Sequence, residues 1–175
     1  TLIGLFSSDS DRPSPIEVGE FATLDYDGLE PIVREFLGVW KVDPRTITAT
    51  CIGVAGAVTD QVARLTNVPW LVDAEAVATT LGLKRVEVIN DLEALAYAVP
   101  VLEPTELAVL QQGIALPGGN AAVIAAGTGL GEAMLHNVDG RFVPYASEGG
   151  HADFAARTLR ELELVAELTR VFGRV

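Results

Sequence analysis

Apolar residues recur along the chain at two periods, and the switches between them mark out the elements. The opening run Leu2-Ile3-Gly4-Leu5-Phe6 predicts a strand over residues 1–6, with nothing in front of it that caps or leads into it. Residues 9–15 are polar and carry Pro13 and Pro15, a turn, and residues 16–23 alternate apolar with polar positions, so the simplest product is a hairpin. From Leu29 the spacing changes: Leu29, Ile32, Val33, Phe36, Leu37 and Trp40 fall on one face of a helix, with Asp27 as its expected N-cap. Residues 46–54 are β-branched and nearly continuous, which predicts a central strand covered on both faces and ended by Gly53 and Gly56.

Further on, residues 61–66 predict a short strand, Asp73 caps a helix running to Leu81, and residues 85–89 form another apolar strand. Residues 91–99, rich in Ala and Leu, read as a helix that Pro100 and Pro104 close. After the turn Leu116-Pro117-Gly118-Gly119-Asn120, residues 121–125 and 131–138 read as a strand pair about a glycine loop, and a last helix covers 158–172. Strands alternating with helices predict an α/β class. The expected division is a small α/β domain over 1–100 and the start of a larger one over 101–175.

Composition then restricts the partners. The chain has 175 residues and 49% hydrophobic content, enough for one substantial core or parts of two. A net charge of −12 argues against nucleic acid and anionic membranes, whose phosphates it would repel, and favours a small neutral substrate. Cys51 is the only cysteine, so one chain can form neither a disulfide nor a thiolate cluster, and its place in the 46–54 run predicts a buried structural thiol. No uninterrupted apolar run reaches the roughly 18 residues of a membrane span, so a cytoplasmic protein is expected.

Three motifs carry candidate chemistry. In Ile89-Asn90-Asp91-Leu92, a strand delivers Asp91 to its carboxyl end, where open α/β sheets place ligands. A carboxylate there can accept a hydroxyl proton during phosphoryl transfer; it can equally be the N-cap of the following helix, and both readings stand. In Ala126-Gly127-Thr128-Gly129-Leu130-Gly131, glycines let amides approach phosphate oxygens while the threonine adds a hydroxyl donor; a tight hairpin would look the same. The loop lacks the Gly-Lys-Ser/Thr ending of a P-loop, and the strand after it is wrong for a dinucleotide fold. In Ser147-Glu148-Gly149-Gly150-His151, Glu148 and His151 offer the mixed acceptors and donors that sugar hydroxyls require, or simply a solvated loop. His136 reads as a strand-surface residue, no protein-bound metal is expected, and Trp40 and Trp70 read as packing residues.

In this order and spacing, residues 89–92, 126–131 and 147–154, with Leu65-Thr66-Asn67-Val68-Pro69-Trp70, resemble the bacterial ATP-dependent glucokinase family over essentially the whole chain. The resemblance implies an actin-like, hexokinase-type ATPase fold of two α/β domains closing over a cleft. It implies that Asn90 and Asp91 bind the sugar, with Asp91 as base for the 6-hydroxyl, and that Glu148 and His151 hold other hydroxyls. Gly127, Thr128 and Gly129 would contact the phosphates of ATP, with Mg²⁺ arriving on the nucleotide. A homodimer is a further expectation.

The chain departs from the family in having no Asp-x-Gly-Gly-Thr phosphate loop, no second sugar-binding glutamate beyond residue 175 and no glycine-rich adenosine segment. A partial chain, inactive alone, is therefore expected. One cysteine cannot supply the zinc motif usual in the related repressor and kinase group, which favours the glucokinase branch. The alternatives are a non-catalytic sugar-binding or regulatory module of the same fold, and a kinase using polyphosphate.

Overall fold

The computed structural model describes residues 1–7, 12–65, 68–127 and 129–173. Strands β1 (Leu2–Ser7) and β2 (Ser14–Glu20) form the expected antiparallel hairpin, with Leu2 opposite Glu20 and a register shift between Leu5 and Phe6. Helix α1 (Leu29–Val39) buries Ile32, Phe36 and Leu37. Its N-cap is Gly28, with no side-chain cap, so Asp27 does not cap it. Asp27 stands one residue too early to reach the first free amides, and Gly28 takes the extended turn-in position instead.

Strand β3 (Thr50–Val54) is shorter than the apolar run that predicted it. Residues Pro44–Thr46 instead form a 3₁₀ turn, in which the Asp43 carboxylate accepts the Arg45 N–H at 3.0 Å and the Asp43 carbonyl accepts the Thr46 hydroxyl at 2.7 Å. A local aspartate turn has overridden β-propensity here. Cover on the second face of β3 is partial: Val54 is buried while Cys51 is exposed. Partial desolvation, with Glu87 and Glu93 nearby, still pushes the Cys51 thiol pKa up and keeps it a poor nucleophile.

Short strands β4 (Val58–Thr59), β5 (Val62–Arg64) and β6 (Leu71–Asp73) make an antiparallel sheet in that order. Asp73 caps α2 (Ala74–Leu81) as expected, accepting the N–H groups of Glu75 at 2.9 Å and Ala76 at 3.1 Å, and Gly82 ends the helix at φ 70°. Strand β7 (Val86–Asn90) pairs parallel with β3, from Thr50 opposite Val86 to Val54 opposite Asn90. It feeds directly into α3 (Asp91–Ala98).

Three further strands, β8 (Ala121–Ala126), β9 (Leu130–Val138) and β10 (Arg141–Ser147), form an antiparallel sheet with β9 in the middle. Strand β10 was not expected. Pro144 within it is tolerated because β10 is an edge strand. The chain ends on α4 (Leu159–Phe172), where Thr158 and Glu161 form a capping box.

The core is built as local clusters. Val54, Val72 and Val88 pack in one, Ile32, Val68 and Trp70 in a second, and Val77, Leu81 and Leu83 in a third, with Leu29 touching all three. A fourth joins Ala96 of α3 to Ala133 and Leu135 of β9. Helix α3 therefore bridges the parallel pair and the β8–β10 sheet: a Cβ on Gly53 of β3 would lie 3.3 Å from Ala94 Cβ on its other side.

Candidate functional site

The site is organised by the first turn of α3. Asn90, the last residue of β7, is the N-cap: its Oδ1 accepts the N–H groups of Leu92 at 2.9 Å and Glu93 at 3.4 Å, and its Nδ2 donates to the Gly56 carbonyl at 3.1 Å. That settles the capping question raised by the sequence. Asp91 is the first helical residue and exposed, and its Oδ1 accepts the Leu92 N–H at 3.0 Å.

The glycine turn is brought to the same place. Gly131 packs so closely on α3 that a Cβ there would sit 2.7 Å from Leu92 Cγ. Within the turn, the Gly127 N–H donates to the Gly129 carbonyl at 2.9 Å. A Cβ at Gly127 or Gly129 would meet nothing within 4 Å, so the space beside them is open. Thr128, the expected hydroxyl donor, lies outside the described residues, as do Thr66 and Asn67.

The third motif folds onto the turn. After β10, Gly149–His151 make a 3₁₀ turn in which Gly150 lies against the Leu130 carbonyl. The Gly149 N–H donates to Ser147 Oγ at 3.1 Å. Glu148 Oε2 stands 3.2 Å from His151 Nδ1, and both side chains are exposed. They are presented together, as an acceptor beside a ring that can donate or accept.

His136 faces solvent on β9, apart from this group, and among the described residues no three His, Cys, Asp or Glu side chains cluster as metal ligands. The motifs are linked in space through Asp91-Leu92 to Gly131, and from Leu130 to Gly150. The sequence reading missed Glu132, whose half-buried carboxylate lies against Gly149. A charge in the middle of the run Leu130-Gly131-Glu132-Ala133-Met134-Leu135 was the available signal. A concavity of about 590 Å³ near Asp73, Glu75, Lys84 and Glu87 lies at the opposite end of β7 and takes in none of these groups.

The glucokinase family model matches residues 1–175. The chain belongs to the glucokinase family. A glucokinase of Yersinia enterocolitica is 40% identical over 157 residues, 89% of this chain and 47% of its own length. A glucokinase of Yersinia pestis is 35% identical over 160 residues, 91% of this chain and 49% of its own. The chain thus spans about half the length of the curated relatives it matches. Among solved structures, a glucokinase from an Antarctic psychrotroph superposes with a TM-score of 0.78 at 29% identity, covering 99% of this chain and 53% of that one. A Balamuthia mandrillaris glucokinase in complex with glucose gives 0.58 at 16% identity, covering 98% and 53%, a likeness of fold.

The α/β fold is accordingly that of a glucokinase, the actin-like ATPase architecture. Within this glucokinase-family chain Gly127 and Gly129 border open space, and the Gly127 N–H is held by the Gly129 carbonyl. No helix among the described residues is long and apolar enough to cross a membrane.

Proposed function

We propose that the protein transfers the γ-phosphate of ATP to the 6-hydroxyl of glucose, giving glucose 6-phosphate and ADP. The observation that carries this is the meeting of the three motifs around the start of α3, with Leu92 against Gly131 and Gly150 against Leu130.

In this reading Asp91 accepts the proton of the 6-hydroxyl as that oxygen forms its bond to the γ-phosphorus and the bond to the β-phosphate oxygen breaks. Asn90 fixes the helix start that carries Asp91 and offers its side-chain amide to the sugar. Glu148 and His151, held side by side, bind other hydroxyls and orient the ring. Gly127, Thr128 and Gly129 contact the nucleotide phosphates. Mg²⁺, carried in with the nucleotide, would neutralise charge on the phosphates.

Residues 1–100 and 101–175 would belong to two domains, with α3 packed between their sheets. Closure over the sugar would exclude water, the competing acceptor. A cytoplasmic setting and a dimer of the chain complete the reading.

The test is glucose-dependent release of ADP by the full-length protein and by Asp91→Asn. Loss of a general base predicts a fall of about 10²–10⁴-fold in kcat, with glucose binding by calorimetry retained. Equal turnover in the two proteins would overturn the role of Asp91. Saturable glucose binding with no nucleotide binding would overturn the kinase reading in favour of a sugar-binding module.

A further inference from the structure

The β4–β5 connection is a two-residue turn in which Asp60 and Gln61 both adopt left-handed conformations, at φ 51° and 63°. Such turns favour Asn-Gly or Asp-Gly, because a glutamine gains nothing from positive φ and has no short side chain to bond its own backbone. The glutamine is therefore not explained by the turn.

Its contacts explain it. Gln61 Oε1 accepts the Val88 N–H of β7 at 2.8 Å, and the Gln61 backbone carbonyl accepts the first amide of α2, Ala74 N–H, at 3.1 Å. Val88 is 1% exposed, so water is a poor substitute for that acceptor. Among the described residues β7 pairs with β3 along one edge, and the Gln61 side-chain oxygen supplies a bond on the other. Two residues further along, Asn90 Nδ2 donates to Gly56, at the opposite end of the same 56–61 segment. The segment thus grips β7 at Val88 and at Asn90, immediately before Asp91.

We propose that Gln61 is a positioning residue for phosphoryl transfer, acting through β7 to set where Asp91 stands. The inference rests on Asp91 being the base. Misplacing a reacting group by about 1 Å can cost up to about 10²-fold in rate. Gln61→Leu, which keeps bulk and removes the acceptor, should lower kcat at least about tenfold on that basis. It should lower kcat more than it raises the KM for ATP, because the glycine turn belongs to the β8–β9 pair and meets α3 through the single side chain of Leu92.

Gln61→Glu keeps a carbonyl-type oxygen at the same reach and should restore kcat to within a few-fold of about the wild-type value. Gln61→Asn, one methylene shorter but well suited to positive φ, should fold and still be slow. The measurements are kcat and KM in the full-length protein, and hydrogen exchange at the Val88 amide, which should quicken in the Leu and Asn variants and not in Glu. Asp73→Ala, which removes the side-chain bonds to Glu75 and Ala76 at the start of α2 and leaves the Gln61 bond to Val88 in place, is the control for general destabilisation.

If Asp73→Ala slows catalysis as much as Gln61→Leu, or if Gln61→Glu is as slow as Gln61→Leu, the positioning role is overturned. Asp91→Asn separates the two readings. If it turns over normally, the base assignment fails and the kinetic role of Gln61 fails with it. If it is inactive while Gln61→Leu and Gln61→Asn turn over normally, the Gln61 proposal alone fails.

Discussion

Leu92 fills the space that a side chain on Gly131 would need, with its Cγ and Cδ2 each 2.7 Å from the ideal Cβ position. The contact joins the helix turn after Asp91 to the glycine turn, through residues 39 positions apart in sequence. It makes Gly131 necessary for packing, since its neighbour is a branched side chain seated in a core.

Gly131→Ala should therefore push Leu92 and the start of α3 away from β9. Overpacking of this kind costs about 1–3 kcal/mol, which a denaturant midpoint would read. Displacement of Asp91 should lower kcat more than the loss of stability alone explains. Leu92→Ala added to Gly131→Ala should recover part of kcat, and a double variant no better than the single would show that the contact does not set the position of Asp91.

The glycines of the site divide by what surrounds them. A Cβ on Gly150 would run into the Leu130 carbonyl, which belongs to a paired strand and cannot yield cheaply, whereas one on Gly127 would meet nothing within 4 Å. Gly150→Ala should thus lower the melting temperature and raise the KM for glucose by dislodging Glu148 and His151. Gly127→Ala should melt as the wild type does and raise the KM for ATP alone. Equal melting temperatures for Gly150→Ala and Gly127→Ala would contradict the close packing.

These differences show what could be read before the fold was known. Strong local signals survived: the alternation that made β2, the helical spacing of Ile32, Val33, Phe36 and Leu37, and Asp73 as a cap. Long-range facts did not. Cys51 looked buried because its run is apolar, but burial depends on what covers a strand, and α3, which packs against Gly53, leaves Cys51 exposed.

Asp91 and Asn90 were both legible as site candidates, yet only the geometry assigns the cap to Asn90. Strand β10 has a turn signal of its own in the sequence. Asp139-Gly140, with φ of 51° and 87°, is the two-residue turn that joins Val138 to Arg141. The role of Gln61 had no sequence signal, because its partner lies 27 residues away.

Arg12 and Glu106, 94 residues apart, form a two-pronged ion pair at 2.7 and 2.8 Å that ties the start of β2 to the turn after α3. Glu106 also accepts the Glu103 N–H at 2.8 Å, and these bonds hold its carboxyl at about 2, down from 4.5. The first cause is the hydrogen bond from Arg12. Because the folded value is depressed, the stabilisation is fully present above the unfolded value and is lost as pH falls through about 2.

Arg12→Ala should therefore melt below the wild type at neutral pH, and the gap should narrow as pH falls from about 4.5 towards 2. Both side chains are partly exposed, at 45% and 39%, so 1 M salt should narrow the gap as well. Paired melting curves across that range decide the matter. A gap that stays constant from pH 7 to pH 2 would mean that Arg12 acts through packing rather than through its charge on Glu106.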